Sequence, residues 1–321
     1  MDVGFIQKMI FFAFLRLCVE SFSRQSSTMI DKLCIVGVGL IGGSLARALR
    51  VAKVVRSVVG HGRNSGHLQR ALKLGVIDSA ETVLADAVRG ADMVVLAVPV
   101  AAVSALLQEI APRLDPSATI TDVGSVKGTV VTAARAALGG RFPAFVPGHP
   151  IAGTEKSGID ASFAELYKGQ RVVLTPEADT DADALKRVTD MWRATGAEIL
   201  TMSATHHDEV LAATSHLPHM LAYTLVDALL KLDDRQTLFA LAASSFRDVT
   251  RVASSDPEMW HDICLSNRAA LVKALKHHRV QMDDLLAALE RGDGDYLRAL
   301  FTRAKQQRDA LTAQDKGRPV E

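Results

Sequence analysis

Neither sign of charge predominates in this 321-residue chain: 37 Lys and Arg stand against 36 Asp and Glu. A nucleic-acid or polybasic membrane partner needs a local excess of positive charge, so the balance argues against both. Cysteine is scarce. Cys18, Cys34 and Cys264 are odd in number and far apart, which provides neither a disulfide framework nor a thiolate metal site and suits a reducing cytoplasm. No HExxH occurs, and the histidines at 206, 207, 216 and 219 have no carboxylate at ligand spacing, so no metal is expected. A bilayer-spanning run is missing too: residues 6–19 are apolar but carry Lys8 and Arg16, short of the roughly 20 apolar residues a span needs. Residues 1–28 read as an extension outside the fold, with Met29 as an alternative start.

What is present is a composition 48% hydrophobic and 23% charged, that of an ordinary globular chain long enough for two cores. From 32 to 202, β-rich runs (33–36, 57–59, 93–97, 119–121, 144–146, 171–174 and 198–200) alternate with helical stretches such as 44–49, 101–113 and 128–138. Nearly all-apolar strands separated by helices predict a Rossmann-type α/β domain, a mostly parallel sheet covered on both faces. The acidic stretch 177–183 reads as a solvated helix start. Beyond residue 203 the β signal ends. Helices are expected over 203–231, 236–253, 258–290 and 295–312, and the first is apolar nearly all round. Such a helix is buried in a core or a subunit interface. The domain division is therefore 29–202 and 203–321, the second an all-helical substrate and dimerisation domain, and the chain is expected to form a homodimer.

Gly37-Val38-Gly39-Leu40-Ile41-Gly42 follows a predicted strand and opens a predicted helix. Gly37 would permit a tight turn, Gly39 a close approach to a pyrophosphate, and Gly42 tight helix–strand packing, with the phosphates at the helix N-terminus. Dinucleotide enzymes that select NAD usually place an acid about 20 residues further on, against the ribose diol. Between Asp31 and Asp78 there is no Asp or Glu, and the expected position reads Gly60-His61-Gly62-Arg63-Asn64-Ser65. A guanidinium there suits a 2′-phosphate, so NADP is favoured, with NAD as the alternative. Ala97-Val98-Pro99 closes a strand at the carboxyl end of the sheet, where ligands bind in this architecture.

Four polar stretches remain: Asp122-Val123-Gly124-Ser125-Val126-Lys127, a Gly- and Pro-rich run from Gly148 to Gly158, Ser215-His216-Leu217-Pro218-His219, and Phe246 to Arg251 ahead of Asp256-Pro257-Glu258-Met259-Trp260. With the glycine fingerprint, they make the chain resemble the prephenate/arogenate dehydrogenase family over about residues 30 to 300. The resemblance implies oxidative decarboxylation of a cyclohexadienol, with a neutral His149 accepting the 4-hydroxyl proton. On this basis an acid limb is expected near the ordinary histidine pKa, roughly 6.5. It implies Ser125 against that hydroxyl or His149, Arg251 and His216 on the substrate's charged ends, and Thr154 and Glu155 lining the same site.

Each residue has a structural alternative. His149 could cap a helix, Ser125 could N-cap the helix near Gly128, and Arg251 could pair with Asp248 or Glu155. Pro218 should interrupt its helix and free the Thr214 carbonyl, supplying polar groups with no function. His219 is expected to bond locally, and Met259 and Trp260 to be core. Rival functions on the same fold are a β-hydroxyacid dehydrogenase, whose helical-domain lysine is missing here, an imine reductase, or a catalytically silent nucleotide-binding module.

Overall fold

The computed structural model describes residues 30–154 and 156–316. Cys18, Glu155 and the 1–28 extension lie outside the described residues. Twelve elements build the first architecture: β1 (Ile30–Val36), α1 (Leu40–Val51), β2 (Val55–His61), α2 (Ser65–Lys73), β3 (Ser79–Glu81), α3 (Leu84–Val88), β4 (Met93–Leu96), α4 (Val100–Ile110), β5 (Thr119–Asp122), α5 (Gly128–Leu138), β6 (Phe145–Val146) and, later in the chain, α6 (Ala182–Ala194). The six strands pair in parallel in the order β3-β2-β1-β4-β5-β6. Strand order reverses between β1 and β4, which opens a crevice at their carboxyl ends.

Alternation along the strands divides the apolar residues between two cores. Leu33 and Ile35 of β1 and Met93 and Val95 of β4 pack under α1, α2 and α6, against Leu45, Leu49, Leu68, Val188 and Trp192. Cys34, Val36, Val94 and Leu96 point the other way, against Leu84, Val103, Leu107 and Val130 of α3, α4 and α5. Each fully buried Leu or Ile contributes about 1.5–3 kcal/mol. Cys34 lies so deep that burial pushes its thiol up to about 12, and it is chemically inert.

The single expected sheet is in fact two. Strands β7 (Gly148–Ile151), β8 (Arg171–Leu174) and β9 (Glu198–Thr201) form a separate three-stranded sheet, with β7 antiparallel and β9 parallel to β8. Only Pro147 separates β6 from β7, and the chain turns there, carrying residues 148–151 out of the main sheet. The Gly- and Pro-rich composition of 148–158 hides a strand, which is why it reads as a loop in the sequence. The acidic stretch starts α6 later than expected: Asp181 caps it by accepting from the Ala184 N–H.

The second half is helical: α7 (Ala204–Leu211), a π-helical turn (Ala212–His216), α8 (Leu217–Leu230), α9 (Arg235–Ala240), α10 (Ser244–Thr250), a 3₁₀ turn (Arg251–Ser254), α11 (Pro257–Ser266), α12 (Arg268–Glu290) and α13 (Gly294–Lys316). Pro218 does not interrupt its helix. The Leu217 N–H reaches back five residues to the Ala212 carbonyl, and this widened turn relieves the clash a proline ring makes with the carbonyl four residues earlier. The expected helix 236–253 is instead α9, α10 and the 3₁₀ turn; Leu241-Ala242-Ala243 carries no breaker, so the break leaves no mark in the sequence. The expected helix 258–290 is divided at Asn267, whose φ/ψ of −107°/29° leaves the helical region. Among the described residues no helix is long and apolar enough to cross a membrane.

Candidate active site

At the crevice, Gly37 adopts φ +100°, and a Cβ there would lie 2.2 Å from the Ala97 carbonyl oxygen. Only glycine lets the first turn pack against the Ala97-Val98-Pro99 loop, and Pro99 in turn caps α4. A Cβ at Gly42 would lie 2.3 Å from the Gly37 carbonyl oxygen, whereas Gly39 faces open space. The chain therefore leaves room where a pyrophosphate approaches a helix N-terminus, and α1 opens there with Leu40 buried and Ile41 half-buried. These residues fit a dinucleotide. His61 ends β2, where the strand itself carries no acid, and its Nδ1 lies 2.9 Å from the carbonyl oxygen of Glu81, its partner on β3. Arg63 is exposed in the following loop, while Asn64 spends its side-chain oxygen capping α2 through the His67 N–H.

His149 is the second residue of β7 and is buried beside the carboxyl end of β5. Its Nδ1 lies 2.9 Å from Nε2 of His207, and the His207 Nδ1 lies 2.8 Å from Oδ1 of Asp208. His207 and Asp208 belong to α7, so the chain of rings crosses from the sheet half to the helical half. Asp208 also accepts the N–H groups of Lys127 and Gly128, each at 2.8 Å. It thereby caps α5, the helix for which Ser125 was a candidate cap; Ser125 itself is half-buried in the preceding loop. His149 is a strand residue and caps no helix.

Below the ring, Lys127 and Asp122 form a fully buried ion pair. The Lys127 ammonium also donates to the Gly148 carbonyl at 2.6 Å, while Asp122 accepts from the N–H groups of Gly148 and Gly124 at 3.1 and 2.8 Å. Paired with each other and bonded to three backbone groups, the two charges are tolerated, and they pin the strand that bears His149. Burial first, then His207, Lys127 and His216, hold the His149 ring well below the ordinary histidine pKa. The acid limb expected near 6.5 therefore moves to lower pH. Burial acts to raise Asp208, but the His207, Lys127 and Gly128 hydrogen bonds outweigh it and hold the carboxylate below its usual range.

His216 lies in the π turn, buried, with its ring edge toward Trp260. Asn267 Nδ2 donates to the Asp208 carbonyl at 2.8 Å and faces His216 Nδ1 at 3.2 Å. A carbonyl only accepts, so that atom must be the NH₂ group and His216 Nδ1 must accept from it. His216 consequently carries its proton on Nε2, and burial lowers its pKa to about 4. It is a neutral N–H donor at neutral pH. His219 stacks on Trp260 at 3.7 Å and bonds the Ser215 carbonyl, the local role expected of it. Trp260 is core, but Met259 is 41% exposed in the first turn of α11, contrary to expectation. Arg251 opens the 3₁₀ turn, exposed and near enough to depress His219. Thr154 is exposed in the loop after β7, where its hydroxyl accepts from the Lys156 N–H. Glu155 lies outside the described residues. No group of three or more His, Cys, Asp or Glu among the described residues is placed to hold a metal ion.

The residues the sequence reading missed are Asp122, Lys127, His207, Asp208 and Asn267. Asp122 and Lys127 were visible as polar density in one stretch. The others are 59 residues apart or separated from His149 by 58, and no spacing rule links them.

The nucleotide-binding domain family of prephenate dehydrogenases matches residues 45–201, and their dimerization domain family matches residues 203–303. A cyclohexadienyl dehydrogenase of Zymomonas mobilis is 40% identical over 294 residues, covering 91% of this chain and all of that one. A prephenate dehydrogenase of Bacillus subtilis is 35% identical, covering 90% of this chain and 78% of its own length. The solved prephenate dehydrogenase of Aquifex aeolicus, in complex with hydroxyphenyl propionate and NAD+, superposes with a TM-score of 0.83 at 37% identity, over 88% of this chain and 98% of that one. Synechocystis arogenate dehydrogenase gives 0.75 at 31%, over 87% and 99%. With both halves matched in order and relatives this similar along nearly the whole length, the chain belongs to the prephenate dehydrogenase family.

Proposed function

We propose that this protein oxidatively decarboxylates prephenate to 4-hydroxyphenylpyruvate, arogenate to tyrosine, or both. The observation that carries the reading is His149: a neutral, buried imidazole pinned at the carboxyl end of the sheet, beside the crevice of the glycine fingerprint. A bound nicotinamide supplies the hydride acceptor. As hydride leaves the carbinol carbon, the 4-hydroxyl becomes acidic and His149 takes its proton. The electron pair of the ring–carboxylate bond then enters the ring, carbon dioxide departs, and the oxygen is reprotonated as a phenol.

Ser125 hydrogen-bonds the hydroxyl or steadies His149 from the loop after β5. His216 offers its Nε2–H, and Arg251 a guanidinium that can grip a carboxylate through two parallel bonds. Thr154 adds a hydroxyl from the loop after β7. Gly37, Gly39, Leu40, Ile41, Gly42, Val98 and Pro99 cradle the dinucleotide. NADP is preferred over NAD because the end of β2 has no acid and Arg63 stands exposed beyond it. The substrate lies between residues 29–202 and 203–321, and two copies pair through the second of these. A cytoplasmic location suits the cofactor supply. Steady-state kinetics with prephenate and arogenate, each with NADP and NAD, test the whole reading. Reduction of NADP in step with carbon dioxide release is expected, and no turnover of either substrate with either cofactor would overturn it.

A further inference from the structure

His149 has two ring nitrogens, and only one can be the base. The choice is made at the far end of a three-member chain. Asp208 accepts two backbone N–H groups and its carboxyl is held below the usual range, so it is an anion and can only accept. His207 Nδ1, 2.8 Å away, must therefore carry the proton. A neutral imidazole with its proton on Nδ1 has a lone pair on Nε2, and that atom lies 2.9 Å from His149 Nδ1. His149 Nδ1 must then donate. Its proton is committed to His207, and Nε2, which takes no partner among the described residues, is left as the lone pair.

We propose that His207 and Asp208 are positioning residues for the reaction: they hold His149 with its proton on Nδ1, present Nε2 to the substrate hydroxyl, and place a carboxylate behind the ring to balance the charge that forms. This inference rests on His149 being the base. The groups that face His149 are His207 from α7, Lys127 from the start of α5, and His216 from the π turn. Lys127 is balanced by its ion pair with Asp122, and His216 is kept neutral by burial, with Asn267 fixing its tautomer. Of these neighbours, only His207 is bonded to the ring itself. When Nε2 takes the hydroxyl proton, the positive charge spreads toward Nδ1 and His207, with the Asp208 carboxylate at the end of the chain. The same carboxylate caps α5, so the chain's position is fixed by the junction of the two halves.

The test reads tautomer and kinetics separately. Nitrogen-15 histidine NMR of the intact wild-type protein at neutral pH, with the His149 signals identified by their loss in His149→Asn, should show Nδ1 protonated and Nε2 bare. His207→Leu removes the acceptor and should lower kcat roughly 10–10³-fold, toward the loss expected when a general base is misaligned. The Michaelis constant and cofactor affinity should stay within about threefold, since neither His207 nor Asp208 is placed against substrate or dinucleotide. His207→Gln keeps an acceptor at the Nε2 position and should recover kcat to within about tenfold of wild type. Asp208→Asn should displace the acid limb to lower pH, because the charge that favours an imidazolium is gone.

A His149 protonated on Nε2 in the wild type would overturn the proposal even if every Leu variant misfolds. So would a His207→Leu enzyme with wild-type kcat, or one that loses kcat, substrate binding and cofactor binding equally. Full activity in His149→Asn would instead overturn the base assignment, with the tautomer still readable from the wild-type spectrum.

Discussion

The two halves of this molecule treat apolar side chains in opposite ways. Up to β9 the large aliphatic residues are almost all sealed between the sheet and its helices, and β1 and β4 have no exposed apolar residue at all. Beyond residue 203, Leu265, Leu286, Leu289 and Phe301 are each more than half exposed, and Leu241 is 76% exposed. The buried apolar residues there are few: Ala204, Leu211, Ala212, Ala222, Trp260, Ile263, Leu271 and Ala288. Trp260 and Ile263 moreover belong to the core cluster of the sheet half. The sheet half seals its large side chains; the helical half leaves many of them exposed, and the family it matches is a dimerization domain. His149 lies on the sheet side of their junction, and His207 and Asp208, to which it is linked, on the helical side.

The largest effect should come from the sheet side. His149→Asn removes the basic nitrogen, and turnover should fall about 10²–10⁴-fold with cofactor affinity intact. In the wild type, activity at low substrate should fall as His149 gains a proton. Because burial depresses that ring, the fall should come at lower pH than for an ordinary histidine, and the limb should vanish from the residual activity of the variant. A limb at or above pH 6.5 would mean that another group titrates.

Arg251→Ala tests the helical side. Removing a charge-assisted pair to a carboxylate costs about 2–5 kcal/mol. The Michaelis constant for substrate should rise accordingly while NADP binding is kept; an unchanged constant would return Arg251 to a structural role. Paired stability measurements address the contrast directly. Leu33→Ala leaves a cavity in a sealed core and should cost about 2–5 kcal/mol of unfolding free energy at any protein concentration. Leu289→Ala should cost much less per chain but lower the apparent stability more as protein is diluted, the outcome expected of a side chain covered by a second copy. Sedimentation of the wild type at micromolar concentration as a single chain would remove the basis for that contrast. The smallest effect is Arg63→Ala, which should raise the Michaelis constant for NADP about tenfold and hardly change that for NAD. Equal changes with both would show that Arg63 does not read the 2′-phosphate.

The sheet half was the more legible, for physical reasons. Parallel strands buried on both faces must be apolar along their length, so β1, β4 and β5 stand out, and the glycine turn has steric requirements that other residues cannot meet. β3 was too short to register, and β7 was masked by its Gly-His-Pro composition. In the helical half, existence and type were readable but the breaks were not. Asn267 sits inside a helical pattern, and its departure from it is maintained by bonds to Asp208 and His216, 59 and 51 residues away. His207 looked like one more histidine in a surface cluster, yet it is fully buried against His149.

The sequence alone thus determined which residue types must meet: a glycine turn for a dinucleotide, a histidine to take a proton, a guanidinium for a carboxylate. Local spacing and elementary sterics suffice for the first, and the resemblance to the family implies the other two. Only the tertiary structure decided how the histidine is used. Which ring nitrogen of His149 is bare, and how far its pKa is depressed, depend on burial and on hydrogen bonds between residues about 60 to 80 positions apart, a distance over which chain order imposes no geometry.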